Sequence, residues 1–248
     1  MAKVLFILTA ANELTLKNGD RIPTGFWAQE FVPPHHIFLE HGHTIDIATP
    51  RGKPAALDEN CFAPAFHHHD TGRIANLREQ LSEIEAWHTP LSLERLALAG
   101  AKYDALFFPG GYGPMADLIC SEAAGNLVKR ILASGGLIGA VSHGPAGLVM
   151  AQQGGNWLFA GYQMTCFSPQ EEQLAGLADT LPELLPERLA RLGGELYFGA
   201  PDSEHVVIDR QLHTGQNPAS VEKLAFAMAR RLKKMGSLDK DACGTPCS

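Results

Sequence analysis

Short, wholly apolar runs alternate with amphipathic stretches along the whole chain. Val4-Leu5-Phe6-Ile7-Leu8 opens the series, and Ala105-Leu106-Phe107-Phe108 and Leu137-Ile138-Gly139-Ala140-Val141 repeat it. Runs this short without polar interruption predict strands covered on both faces, as in a parallel sheet. Thr44 to Thr49 alternates polar and apolar residues and predicts the second strand, and Gln163 to Phe167 a later one. Val206-Val207-Ile208 and Leu212-His213-Thr214 flank Asp209-Arg210, which predicts a hairpin.

Between the strands the spacing becomes helical. A helix is expected from about Thr24, with Pro33-Pro34 breaking or restarting it. Further helices are expected over Leu77–Trp87, Ser92–Leu98, Ser121–Ser134, Leu148–Gln152, Leu184–Leu192 and Val221–Lys234. Gly135-Gly136 is a typical helix stop. Ser168-Pro169-Gln170-Glu171-Glu172 reads as a helix start, with proline in its first position and acids in its first turn. Pro50 to Asp70 reads as irregular. The sum is an α/β fold with a mainly parallel sheet and helices on both faces. It is expected as one domain over residues 1–236 with an insertion at about 50–95, followed by a frayed tail over 237–248.

Charge and cysteine usage narrow the class. The 248 residues hold 27 acidic and 20 basic side chains, a net charge of −7, which argues against nucleic-acid or membrane partners. The first apolar run is too short for a signal sequence, and no window nears the roughly 20 apolar residues of a membrane span. The five cysteines, Cys61, Cys120, Cys166, Cys243 and Cys247, form no C-x-x-C pair, so a reducing cytoplasm is expected. Cys120 and Cys166 read as small buried hydrophobes, and Cys243 and Cys247 fall in the tail.

Ligands of open α/β sheets gather beyond the carboxyl ends of the strands. Two loops there carry candidate chemistry. Phe108-Pro109-Gly110-Gly111-Tyr112-Gly113-Pro114 has glycines that let backbone N–H groups approach an anion or oxyanion. Gly139-Ala140-Val141-Ser142-His143-Gly144-Pro145 runs from a buried strand through a small residue into a tight turn. That is the form of a nucleophile elbow with Ser142 at its apex.

These loops, with Thr24-Gly25-Phe26-Trp27…Glu30 and Thr214-Gly215-Gln216-Asn217-Pro218-Ala219-Ser220, resemble the DJ-1/PfpI superfamily, and within it the Hsp31-like branch. The resemblance runs in order through nearly the whole chain. It implies a flavodoxin-like three-layer sandwich, a homodimer, and cofactor-independent conversion of methylglyoxal, or another small reactive carbonyl, to a hydroxy acid (glyoxalase III), with deglycase, holdase chaperone and stress roles also associated. By resemblance the nucleophile falls on Ser142, its histidine on His143 and a protonated glutamate on Glu30. The acid orienting the histidine falls on Glu172, with Glu171 selected instead by a one-residue slip. Gly110, Gly111 and Tyr112 fall in the oxyanion and substrate region, with the N–H groups of Gly111 and His143 as donors. Tyr112 stands where many relatives have histidine.

The family has cysteine where this chain has Ser142. A thiol reaches the thiolate far more readily than a hydroxyl ionises, and a serine needs a general base. Two explanations are a serine-substituted form of an active enzyme and a natural member with lost or changed chemistry; the intact remainder of the site favours the first. The alternative function is a holdase with a vestigial site. A class I glutamine amidotransferase relative shares the elbow, but the histidine directly after Ser142 and the lack of a late His-x-Glu pair argue against it.

His67-His68-His69-Asp70 invites a metal reading in which one histidine joins His88 or a nearby acid. Adjacent residues of an extended loop point apart, so a solvated loop without metal is the preferred reading. His35-His36 read as helix residues near the site wall or an interface.

Overall fold

A computed structural model of the chain describes the backbone of residues 1–242 and the side chains of residues 1–236. The elements follow in the order β1 (Lys3–Ile7), β2 (Glu13–Thr15), β3 (Arg21–Pro23), α1 (Ala28–Glu40), β4 (Thr44–Thr49), α2 (Thr71–Ser82), β5 (Leu91–Ser92), α3 (Leu93–Ala99), β6 (Ala105–Phe108), α4 (Gly113–Ala116), α5 (Glu122–Ala133) and β7 (Leu137–Val141). The second half adds β8 (Gln152–Gln153), β9 (Asn156–Trp157), β10 (Gln163–Met164), α6 (Pro169–Leu174), α7 (Leu185–Arg191), β11 (Glu195–Leu196), β12 (Val206–Asp209), β13 (Leu212–Gly215) and α8 (Val221–Ala242).

The central sheet has seven strands in the order β12-β13-β7-β6-β1-β4-β5. Every pairing in it is parallel except β12 with β13, the expected hairpin. Successive strand residues point to opposite faces, so each apolar run supplies two cores. Val4 and Phe6 join Phe31, Phe38, Leu224 and Met228 on one side. Leu5 and Ile7 join Leu127, Ile131 and Leu148 on the other. This is the flavodoxin-like three-layer arrangement. Fully burying one such Phe or Leu is worth about 1.5–3 kcal/mol, so continuous apolar runs are what a two-faced sheet requires. Gly139 on β7 admits the thioether of α8: a Cβ there would meet Met228 Sδ at 2.3 Å.

Several local expectations are revised. Pro33 and Pro34 lie inside α1 without breaking it. Each removes one backbone donor, but the same helix buries Phe31, Val32, Ile37 and Phe38. Phe6 meets Phe31 and Phe38 edge-on at 5.7 and 5.9 Å. His35 packs on the Phe6 and Phe31 rings, within the layer between helix and sheet. Helix α2 begins at Thr71, capped by Asp70, which accepts from the Arg73 N–H, and it ends at Ser82. The segment expected as an insertion returns to the sheet through β5, its edge strand. No helix covers Leu148–Gln152; a 3-10 turn spans Gly144–Leu148 and the β8–β9 hairpin follows. The strand expected over Gln163–Phe167 is only Gln163–Met164 and pairs with β11 outside the main sheet.

The last helix extends past the expected Lys234 to Ala242, into the stretch read as a frayed tail. Residues 243–248, with Cys243 and Cys247, lie outside the described residues. Cys166 is buried but Cys120 is exposed, at the end of a surface turn, contrary to expectation. Among the described residues no helix is long and apolar enough to cross a membrane.

Candidate active site

The carboxyl ends of β6 and β7 bring the candidate residues together. At the end of β7 the chain turns sharply through Ser142, whose φ is +57°. That is the left-handed region, a strained conformation for a non-glycine residue, costing on the order of 1–3 kcal/mol. Two backbone bonds hold it: the Ser142 N–H donates to the Gly215 carbonyl and the Ser142 carbonyl accepts from the Phe167 N–H, both at 3.0 Å. The tight turn needs the small residues that follow. A Cβ on Gly144 would meet the Phe108 carbonyl oxygen at 2.1 Å.

His143 is buried between two rings, Tyr112 at 4.3 Å and Phe167 at 4.9 Å between centroids. Its Nε2 lies 2.7 Å from Glu172 Oε1, and the Tyr112 hydroxyl donates to Glu172 Oε2 at 2.7 Å. The carboxylate therefore sets Nε2–H on the imidazole and leaves the Nδ1 lone pair toward Ser142. Ser142 Oγ and His143 Nδ1 are 3.4 Å apart, longer than a well-formed O–H···N bond. Burial and the Glu172 carboxylate push the Tyr112 hydroxyl well above its ordinary range, so it remains a donor.

Glu30 enters from the first turn of α1, fully enclosed. Its Oε2 accepts the Gly110 N–H at 2.8 Å. Burial raises its pKa from 4.5 to about 8, against the opposing bonds from the Gly110 N–H and the Ser142 hydroxyl. Desolvation wins because a lone buried carboxylate loses more hydration than two donors restore. A Cβ on Gly110 would lie 2.6 Å from Glu30 Oε2 and 2.8 Å from both the His143 nitrogen and Ser142 Cβ. Gly110 is thus the point where the three groups converge.

The Thr24–Trp27 motif docks on the same loop. The Trp27 N–H donates to the Gly110 carbonyl at 3.3 Å and the Gly113 N–H to the Gly25 carbonyl at 3.2 Å. The approach is so close that a Cβ on Gly111, whose φ is +86°, would meet Gly25 O at 2.3 Å. The Gly110 N–H is committed to Glu30, whereas the Gly111 and His143 N–H groups are among those of this corner that donate to no protein acceptor among the described residues. In front lies a cleft of about 1150 Å³ lined by Trp27, Asp58, Phe66, Tyr112, Phe167 and Asn217, among others.

The choice between Glu171 and Glu172 falls to Glu172 by contact. Glu171 turns the other way, into the capping box of α6, where its carboxylate accepts the Ser168 N–H at 2.9 Å. That signal was present in the sequence as Ser168-x-x-Glu171. Phe167, which closes the far face of His143, had no sequence signal of its own.

The histidine loop is only in part the solvated loop expected. His67 is buried, its Nε2 2.8 Å from the Cys61 carbonyl and 3.1 Å from the Gln29 amide. His68 and His69 are exposed with positive φ, and His88 stacks on Trp87. Among the described residues no group of three His, Cys, Asp or Glu side chains is gathered to hold a metal.

A family profile described as ThiJ/PfpI family-like matches residues 23–185. The chain belongs to that family. Within this ThiJ/PfpI group it falls with the Hsp31-like proteins of the DJ-1 superfamily. A glutathione-independent glyoxalase of Saccharomyces cerevisiae, HSP31, is 27% identical over 244 residues, covering 93% of this chain and 98% of the relative. The glutamine amidotransferase-like class 1 domain-containing protein 1 of Bos taurus is 33% identical over 153 residues, 60% of this chain and 69% of the relative. Among solved structures, the 24 kDa rapid encystment protein of Francisella tularensis matches with a TM-score of 0.78 at 27% identity. The match covers 94% of this chain and 99% of that one.

Proposed function

We propose that this ThiJ/PfpI-like chain carries a cofactor-independent glyoxalase III-type site that converts methylglyoxal, or a related small 2-oxoaldehyde, to the 2-hydroxy acid. In this reading the thiol form at position 142 is the active one. The observation that carries it is the convergence at Gly110 of Ser142, His143 and the neutral acid Glu30, with Glu172 behind the histidine. The relative named as a glutathione-independent glyoxalase supports the same reaction class.

The net reaction adds one water and needs no external oxidant, since the aldehyde carbon is oxidised as the neighbouring ketone carbon is reduced. The nucleophile at 142 bonds to the aldehyde carbon as the carbonyl electron pair moves to oxygen, and the nucleophile's proton passes through His143 to that oxygen, which frees Nδ1 again. The free N–H groups of Gly111 and His143 are assigned to that oxyanion. His143 takes the proton from the same carbon, giving an enediol, and a proton returns to the adjacent carbon. The product is a thioester, or an ester for serine, and water cleaves it to release the hydroxy acid and regenerate the nucleophile. Glu172 holds the imidazole in the tautomer that accepts at Nδ1, and neutral Glu30 donates to the nucleophile and substrate oxygen.

With serine the first step is slow. The hydroxyl is far less acidic than a thiol, and its 3.4 Å separation from Nδ1 is long for general-base removal of its proton. The reading extends to a cytoplasmic homodimer, which mass measured in solution would check. The function is tested by making Ser142→Cys and measuring D-lactate from methylglyoxal without glutathione. A gain of at least about 100-fold over the serine form is expected. No gain would overturn the proposal.

A further inference from the structure

Glu171 is buried, sits beside Glu172 and has no part in the chemistry above. Its carboxylate is nonetheless the most heavily bonded of this corner. Oε2 accepts from the Ser168 N–H at 2.9 Å, the Ser168 hydroxyl at 2.7 Å and the Gln216 amide at 3.1 Å. Oε1 accepts from the Asn217 amide at 2.8 Å and the Asp202 N–H at 3.1 Å. All five neighbours are donors, which a carboxylate accepts and a neutral amide nitrogen cannot. The two amide orientations are set independently: Gln216 Oε1 accepts the Gly199 N–H, and Asn217 Nδ2 also donates to the Ser203 carbonyl.

These bonds close a ring. The Ser142 N–H is tied to the Gly215 carbonyl at the end of β13. The next two residues of that strand end, Gln216 and Asn217, are tied to Glu171. One residue on, Glu172 reaches His143, and His143 adjoins Ser142. A second path runs from the Ser142 carbonyl through the Phe167 N–H to Ser168, which Glu171 also binds. Helix α6 has only six residues, too short to hold its own place, since isolated helices of this length are marginal. The Glu171 bonds to Gln216, Asn217 and Asp202 tie this short helix to the end of β13 and the segment before β12.

We propose that Glu171 is a positioning residue: its carboxylate clamps α6 to the end of β13, and thereby fixes Glu172 and His143 against Ser142. The proposal rests on the reading above that His143 and Glu172 serve the nucleophile at 142, so its test has one arm that does not depend on turnover. In the Ser142→Cys background, Glu171→Gln is expected to lower kcat about 30-fold with KM within about twofold, and Glu171→Asp to restore most of the loss. In the serine chain, long-range ¹⁵N NMR of His143 is expected to show the Nε2–H form in the parent and a mixture of tautomers in Glu171→Gln. If Glu171→Gln does not fold, Asn217→Ala, which deletes the shortest bond to Oε1, is expected to mix the tautomers in the same way. A lower Tm with unchanged kcat and an unchanged His143 spectrum would overturn the proposal. If the cysteine form proves inactive, the proposed reaction fails, and the His143 spectrum alone decides the role of Glu171.

Discussion

Glu30 and Gly110 meet at 2.8 Å across 80 residues of sequence, carboxyl oxygen to backbone N–H. The contact joins the first turn of α1 to the loop after β6 and holds an acid whose pKa is raised from 4.5 to about 8. Between those two values the folded chain binds a proton that the unfolded chain has released. Stability is therefore expected to fall as pH rises from 4.5 toward 8, with a slope approaching about 1.4 kcal/mol per pH unit from this group. Glu30→Gln removes that component. Urea unfolding across this range compares the two slopes; an equally steep fall in the variant would show that Glu30 is not the source.

The same acid predicts the alkaline limb of activity. In the Ser142→Cys background the protonated form of Glu30 is expected to be required, so turnover falls above about pH 8. The pH profile of kcat/KM measures this. A profile flat to well beyond that point would exclude the neutral acid from the reaction.

Tyr112→Phe separates two roles for the residue that stands in the place of a histidine. The ring stacked on His143 remains, and the 2.7 Å bond to Glu172 is lost. A bond to a charged group is worth about 1.5–3 kcal/mol, so kcat in the Ser142→Cys background is expected to fall about 10- to 150-fold, with KM nearly unchanged. A raised KM at unchanged kcat would instead mean that the hydroxyl touches substrate.

Gly110→Ala is expected to abolish turnover. Its Cβ would sit 2.6 Å from Glu30 Oε2 and 2.8 Å from the backbone nitrogen of His143, and overpacking of this kind costs about 1–3 kcal/mol. Activity of the double variant with Ser142→Cys is expected to drop at least about 100-fold while the circular-dichroism spectrum is retained. Near-parental activity would show that the corner can relax.

The apolar runs at β1, β6 and β7 specify buried parallel strands because a two-faced sheet needs side chains covered on both sides. Asp209-Arg210 marks the hairpin, Ser121 and Gly135 bracket α5, and the strand–turn run at Ser142 marks the elbow, all through short-range signals of period, cap and turn. The choice between Glu171 and Glu172, left open by the sequence, had a local signal in the capping box Ser168-x-x-Glu171, which turns Glu171 away from His143. What lay beyond local reading depends on partners distant in the chain. Helix α1 persists through Pro33-Pro34 because Phe6 and Phe107 cover its buried face. His67 is drawn inside by the Cys61 carbonyl, while Cys120 is left at the surface. The proton on Glu30 is decided by enclosure beneath the Gly110 loop, and the orientation of His143 by a carboxylate 29 residues away. The sequence by itself determined which elements form and which side chains are available at the strand ends. Only the tertiary structure decided their protonation and mutual aim, because desolvation and hydrogen-bond geometry depend on neighbours that no local pattern encodes.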